Sequence, residues 1–285
     1  MVTAATAPLL LGCDFTSAPS TRKPIVLALG QLHGHVLVLN QLQRLSRLDE
    51  FQTYLQQTRP WVGGFDLPFG LPRELVQLLG WPLQWSACVA HFCSLSRAEI
   101  RTQFAAFCAA RPVGSKFAHR ATDRPAGSSP SMKWVNPPVA LMMHAGLPAL
   151  LAAGATLPGL HAGEHDEQGR PDKVALEAYP GLLAREVLGR RSYKSDERSK
   201  QTPDRLIARM DLIHALEQGT TRWGVRLKLS HAQRDALAAD ASGDALDAVL
   251  CLVQAAWAQR QFLAGHPRYG LPSEMDPLEG WIVGA

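Results

Sequence analysis

Five carboxylates are placed where they can do chemistry. Asp14 ends the apolar run Leu9-Leu10-Leu11-Gly12-Cys13 and is followed by Phe15, Thr16 and Ser17. Asp66 ends a second short run, Trp61-Val62-Gly63-Gly64-Phe65. A buried strand of this kind delivers one acid at its end, where the backbone leaves the core and a ligand can approach. An Asp there also serves as an ordinary turn cap. Glu177 interrupts the apolar stretch Lys173-Val174-Ala175-Leu176-Glu177-Ala178-Tyr179 and has to reach water, a partner or a metal, because burying an unpaired charge is prohibitively costly. Between Ala245 and Ala258 only Asp247 and Gln254 are polar, so that helix is expected to be buried almost all round. Asp244 precedes Asp247 by three residues and shares its face, although a first helical turn also favours Asp in its own right. Like charges at that spacing repel unless a cation or a proton relieves them.

Hard oxygen donors without His or Cys suit Mg²⁺ or Mn²⁺, bound by a few carboxylates together with water and substrate phosphate. Two such ions ~3.5–4 Å apart activate an attacking water and stabilise the leaving oxygen of a phosphodiester. Candidate substrate contacts are Thr16 and Ser17 after the first acid, the Lys116, His119 and Arg120 group, and Lys133, whose neighbour Trp134 is the best candidate for stacking on a base. Net charge is only +4, but residues 111–137 carry five Lys or Arg against Asp123, and residues 185–209 carry eight against four acids. Basic loops on a more acidic body suit a phosphate-bearing partner; solvated surface charge is the plainer alternative.

The elements that must position these residues follow from hydrophobic pattern. Strands are expected over 8–14, Pro24–Leu29 and His35–Leu39, forming a meander with Gly30 and Gly34 at the turn. A helix over Leu48–Gln57 leads to the strand 61–66, and Pro72 suits the first turn of a helix reaching Leu79. Residues 84–137 read as an insertion, with one or two helices over 84–110 and then a long loop over 111–137. Further helices are expected over Val139–Gly154, Leu182–Leu188, Pro203–Glu217 and Asp244–Leu263, and a strand over 173–179. A capping box at Ser230 and Gln233 opens another helix. Gly280–Gly284 is expected to be a closing strand. The order implies one α/β domain over 1–285 with a mixed sheet.

Five cysteines without a CxxC pair read as reduced thiols of a cytoplasmic protein. The start lacks the features of a signal peptide, and no apolar run reaches the ~18 residues of a membrane span. P-loop, GxSxG and HExxH motifs are absent.

The blocks GCDFTSAP, GGFDLPFGLP, ALEAYPG, DALDA and EGWIVG, in this order from about residue 8 to 284, together resemble the domain-of-unknown-function 429 family. That resemblance implies a ribonuclease-H-like fold, a mixed sheet flanked by helices, close to the resolvase branch. It also implies a metal-dependent nuclease. Asp14, Asp66, Glu177 and Asp247 are then the expected catalytic residues, and Asp14, Asp66, Asp244 and Asp247 the expected metal ligands. Whether Glu177 binds metal or supports the site stays open. The expected partner is DNA or RNA, not a membrane; a homodimer follows by analogy alone. Two other readings stand beside it: a nucleotide-binding or phosphoryl-transfer protein of the actin-like kinase type, and a non-catalytic nucleic-acid-binding module.

Overall fold

Central strands buried on both faces, with successive side chains entering opposite cores, set the frame. The computed structural model describes residues 8–58 and 60–285; the first seven residues, on which the expectation about a signal peptide partly rests, lie outside the described residues. Strands β1 (Leu9–Asp14), β2 (Ile25–His33), β3 (Val36–Leu45), β4 (Trp61–Phe65), β5 (Lys173–Glu177) and β6 (Arg226–Lys228) form one sheet in the order β5-β4-β1-β2-β3-β6. The β1–β2 and β2–β3 pairs are antiparallel, whereas β1–β4, β4–β5 and β3–β6 are parallel. The result is a mixed α/β fold consistent with the ribonuclease-H-like expectation.

Ten α-helices lie among the described residues. Against one face pack α1 (Leu48–Gln57), α2 (Arg73–Leu78), α3 (Trp85–Ser94), α4 (Arg97–Ala109) and α6 (Val139–Ala152), with the short α5 (Asp123–Ala126) in the loop between α4 and α6. Against the other pack α7 (Pro180–Leu188), α8 (Pro203–Gln218), α9 (His231–Ala239) and α10 (Asp244–Leu263). The two-residue period sends Leu9, Leu11 and Cys13 into the first core and Leu10 into the second. The insertion is part of the first core, since Phe92 and Phe104 are fully buried there with Phe51 of α1.

Helix α10 lies directly on the sheet because two register partners are glycine. Gly12 of β1 faces Gly64 of β4. A Cβ on Gly12 would come within 2.0 Å of the Ala248 carbonyl oxygen, and one on Gly64 within 2.5 Å of the Cys251 carbonyl oxygen. Glycine inside a strand often marks such a close backbone approach. From Asp244 to Ala256 the helix is buried on every side, and Gln254 is used structurally: its side-chain amide donates to the Tyr179 carbonyl and accepts from the Tyr179 N–H, both at 2.9 Å.

Several expectations are corrected. Gly280–Gly284 is not a strand: both glycines have positive φ, and the segment meets the sheet through the Val283 N–H donating to the Glu177 carbonyl. The short edge strand β6 was not expected. The hairpin strands run further than their apolar cores, with Gly34 in the turn and Gly30 at a register shift within β2. The N-cap of α10 is Gly243, and the Asp240 carboxylate reaches the first turn by accepting from the Ala245 N–H at 2.9 Å. No helix of the described residues is long and apolar enough to cross a membrane.

Candidate functional site

Parallel pairing puts the ends of β1 and β4 side by side. Cys13 pairs with Phe65, and the Asp66 N–H donates to the Cys13 carbonyl at 3.0 Å, so Asp14 and Asp66 leave the sheet at the same edge. Each acid lies two residues after a glycine that faces α10, hence on the α10 face of the sheet. The first turn of α10 supplies Asp247, fully buried, and Asp244, nearly so. Four carboxylates from three elements therefore share one corner.

Glu177 is delivered to the other face. Val174 and Leu176 enter the α10 core, Ala175 the opposite one, and Glu177 follows Ala175 by parity. Both of its oxygens are occupied. Buried Arg120 donates to them at 2.8 and 2.6 Å, and the Phe69 N–H donates at 2.9 Å. Arg120 also bonds Asp123 at 2.9–3.0 Å, and its N–H joins the same carboxylate. Glu279 continues the brace by accepting the N–H groups of Ala121 and Arg73, each at 2.8 Å. This buried network ties the insertion loop to the end of β5 and to the C-terminal segment.

The electrostatics of the four-acid corner are dominated by desolvation and mutual repulsion. Burial and the Asp247 charge push the Asp66 carboxyl up to about 7, with Lys194 opposing. Asp14 is pushed well above the usual carboxylate range by burial and by Asp247, and Asp247 is raised chiefly by its own burial. Two ammonium groups compensate. Lys194 Nζ bonds one oxygen of Asp247 while the Tyr193 hydroxyl donates to the other. Lys23 Nζ bonds Asp244 at 2.9 Å and Asp196 at 3.0 Å. The neighbouring thiols of Cys13 and Cys251 are pushed up by burial, so they stay protonated.

Two clefts meet at this corner. One of about 230 Å³ is lined by Asp66, Arg120, Ser128, Glu177, Tyr179 and Lys194 among others. The other, about 250 Å³, is lined by Asp66, Tyr179, Arg191, Tyr193, Lys194 and Asp247. Asp66, Tyr179 and Lys194 belong to both.

The donor set fits a hard divalent cation in charge and chemistry: four carboxylates, two of them fully or nearly fully buried, stand against two ammonium groups. As they stand, no three His, Cys, Asp or Glu side chains among the described residues form a ready cage. The Lys194 ammonium sits where charge compensation is needed.

The expected substrate contacts do not gather in one place. Thr16 and Ser17 leave β1 just after Asp14; Ser17 is buried, and its carbonyl accepts from Arg97 at 2.7 Å. Lys116 and His119 are exposed, and His119 helps line a separate hollow of about 430 Å³ with Arg111 and Arg124. Arg120 turns its guanidinium to Glu177, Asp123 and the Glu279 carbonyl while bordering both that hollow and the cleft at Asp66. Lys133 bonds the Asn136 carbonyl at 2.5 Å. Trp134 packs against Phe117 and Phe104, with ring centroids 5.7 and 6.4 Å apart, which takes it from the role of a free stacking platform. Sequence reasoning missed Tyr193 and Lys194 as individual residues. Their one signal was the positive balance of residues 185–209.

A family model described as "Protein of unknown function (DUF429)" matches residues 25–268. No curated protein and no solved structure matches the chain.

Proposed function

The chain belongs to the DUF429 family, and from the placement of its acids we propose that it is a Mg²⁺- or Mn²⁺-dependent phosphodiesterase acting on nucleic acid. The observation that carries this reading is the convergence of Asp14, Asp66, Asp244 and Asp247 on one sheet corner, with the carboxyls of Asp14, Asp66 and Asp247 held up by burial and neighbouring charge. Asp14, Asp66 and Asp247 would hold the ion, with Asp244 beside them. A bound ion supplies an activated water and stabilises charge at the scissile phosphate. Glu177 acts through Arg120 as a brace for the loop beside the site.

The two clefts joined at Asp66 favour an extended substrate over an enclosed small ligand. A nucleotide-clamping turn after β1 is disfavoured, because that turn spends donors on itself: the Ser20 N–H goes to the Lys23 carbonyl and the Lys23 N–H to the Ser20 hydroxyl. Purified protein is expected to cleave DNA or RNA in Mn²⁺, screened across single strands, duplexes and branched forms. Asp14→Asn is expected to lower the rate by about a hundredfold or more, the scale on which removing a transition-state charge stabiliser acts. Cleavage that survives the substitution unchanged would refute the mechanism.

A further inference from the structure

The Lys194 ammonium stands among the acids although neither a strand nor a helix carries it. Its backbone is fixed on both sides. The Tyr193 carbonyl accepts from Arg209 at 2.7 Å, and the Ser195 N–H donates to the Ala241 carbonyl at 3.0 Å. The stem rests on Gly243, where φ is +79° and any Cβ would come within 2.7 Å of the Lys194 Cβ. The head group differs from the acid it binds. Asp247 is 0% exposed, whereas the Lys194 side chain is 42% exposed and lines both clefts. A long flexible side chain that reaches a buried carboxylate from the solvent side can withdraw by rotating, without moving its backbone.

We infer that Lys194 is the built-in cation of the site, a tethered ammonium that holds Asp247 in the metal-free protein and has to leave it before a divalent ion binds there. The inference rests on the metal-dependent reading given above. Two observations carry it. A wholly buried carboxylate needs a counter-charge, and Lys194 provides one at direct contact. The ammonium is also within electrostatic reach of Asp14 and Asp66, whose charges act on it together with that of Asp247. Once released, the ammonium remains on the wall common to the two clefts, where it faces a passing phosphate instead of Asp247.

The test is calorimetric titration of MnCl₂ into metal-stripped wild type, Lys194→Met, Lys194→Gln and Asp14→Asn proteins, with circular dichroism melts in EDTA. Removing a competing unit charge at contact distance in a half-buried site is expected to tighten Mn²⁺ binding by about tenfold or more in Lys194→Met. In EDTA the same variant melts lower than wild type, because Asp247 loses its partner; Lys194→Gln, which keeps a donor, loses less. If Lys194→Met does not fold, Lys194→Gln carries the titration. Mn²⁺ bound by wild type but no more tightly by the lysine variants overturns the inference and leaves the metal-dependent reading standing. Binding by the lysine variants alone supports the inference and sinks that reading for the native chain. Binding by none overturns both, and binding unaffected by Asp14→Asn places the ion elsewhere and overturns both as well.

Discussion

At the residue scale the candidate site is a collection of carboxyls held at unfavourable ionisation. The folded Asp66 carboxyl titrates near 7, above its unfolded value of about 3.9, so the folded protein binds its proton more tightly than the unfolded chain does. That contribution to stability is complete below about pH 4 and is lost as pH rises through 7. Asp66→Asn, which stays neutral, is therefore expected to melt higher than wild type at pH 8 in EDTA, by at least about 2 °C, with the difference gone at pH 4. A variant that melts lower at pH 8 would mean that the charge is compensated. The Arg120 brace behaves in the opposite way. Arg120→Met leaves Glu177 and Asp123 buried without their cation and is expected to cost about 3–5 kcal/mol in urea denaturation. Adding Glu177→Gln should recover part of that loss. If Glu177 instead served the ion, Glu177→Gln alone would abolish Mn²⁺ binding.

At the element scale the decisive contact is a helix laid on two strands at backbone distance. Gly12 and Gly64 let α10 approach until the Ala248 and Cys251 carbonyls occupy the space of a side chain. That approach brings the first turn of α10 level with the ends of β1 and β4. Gly12→Ala forces backbone apart from backbone, which no rotamer change can relieve, and is expected to cost more than about 4 kcal/mol and to remove Mn²⁺ binding with it. A Gly12→Ala protein of native stability, measured by urea denaturation, would contradict the packing. Gln254 adds orientation, since its two bonds to Tyr179 fix α10 against the chain leaving β5.

At the scale of the whole molecule one sheet separates two cores, and both basic segments contribute residues, Ser128 and Lys194 among them, to the cleft beside the acids. The side chains of Lys116, His119 and Arg124 make no hydrogen bond or ion pair among the described residues, so they are available to a polyanion. On the proposed reading, binding of a short duplex weakens with salt. Lys116→Ala and Arg124→Ala are each expected to reduce the slope of log K against log salt by about 1 if they contact phosphate. Unchanged slopes in fluorescence-anisotropy titrations would place the nucleic acid away from the insertion loop.

Sequence alone determined the fold class and the main elements: α1 and α10 run over the expected residues, and the acids at the ends of β1 and β4 were readable from where apolar runs stop. Such features are local, set by hydrophobic period and by chain termination of strands. It also singled out Asp244 and Asp247, because an acid on an all-apolar helix is conspicuous. Tertiary structure alone decided their company. The neighbours of a strand depend on sheet order, and the face of Glu177 depends on parity within β5, so one acid of the five leaves on the opposite face and is held by Arg120, while still lining a cleft it shares with Asp66. Lys194 looked like any other cation of a basic segment until folding set its ammonium against Asp247. The closing segment reads as a strand by composition, but its glycines adopt positive φ and it gains a single ladder-like bond. Long-range charge pairing and backbone approach are properties of the packed molecule, and no local pattern encodes them.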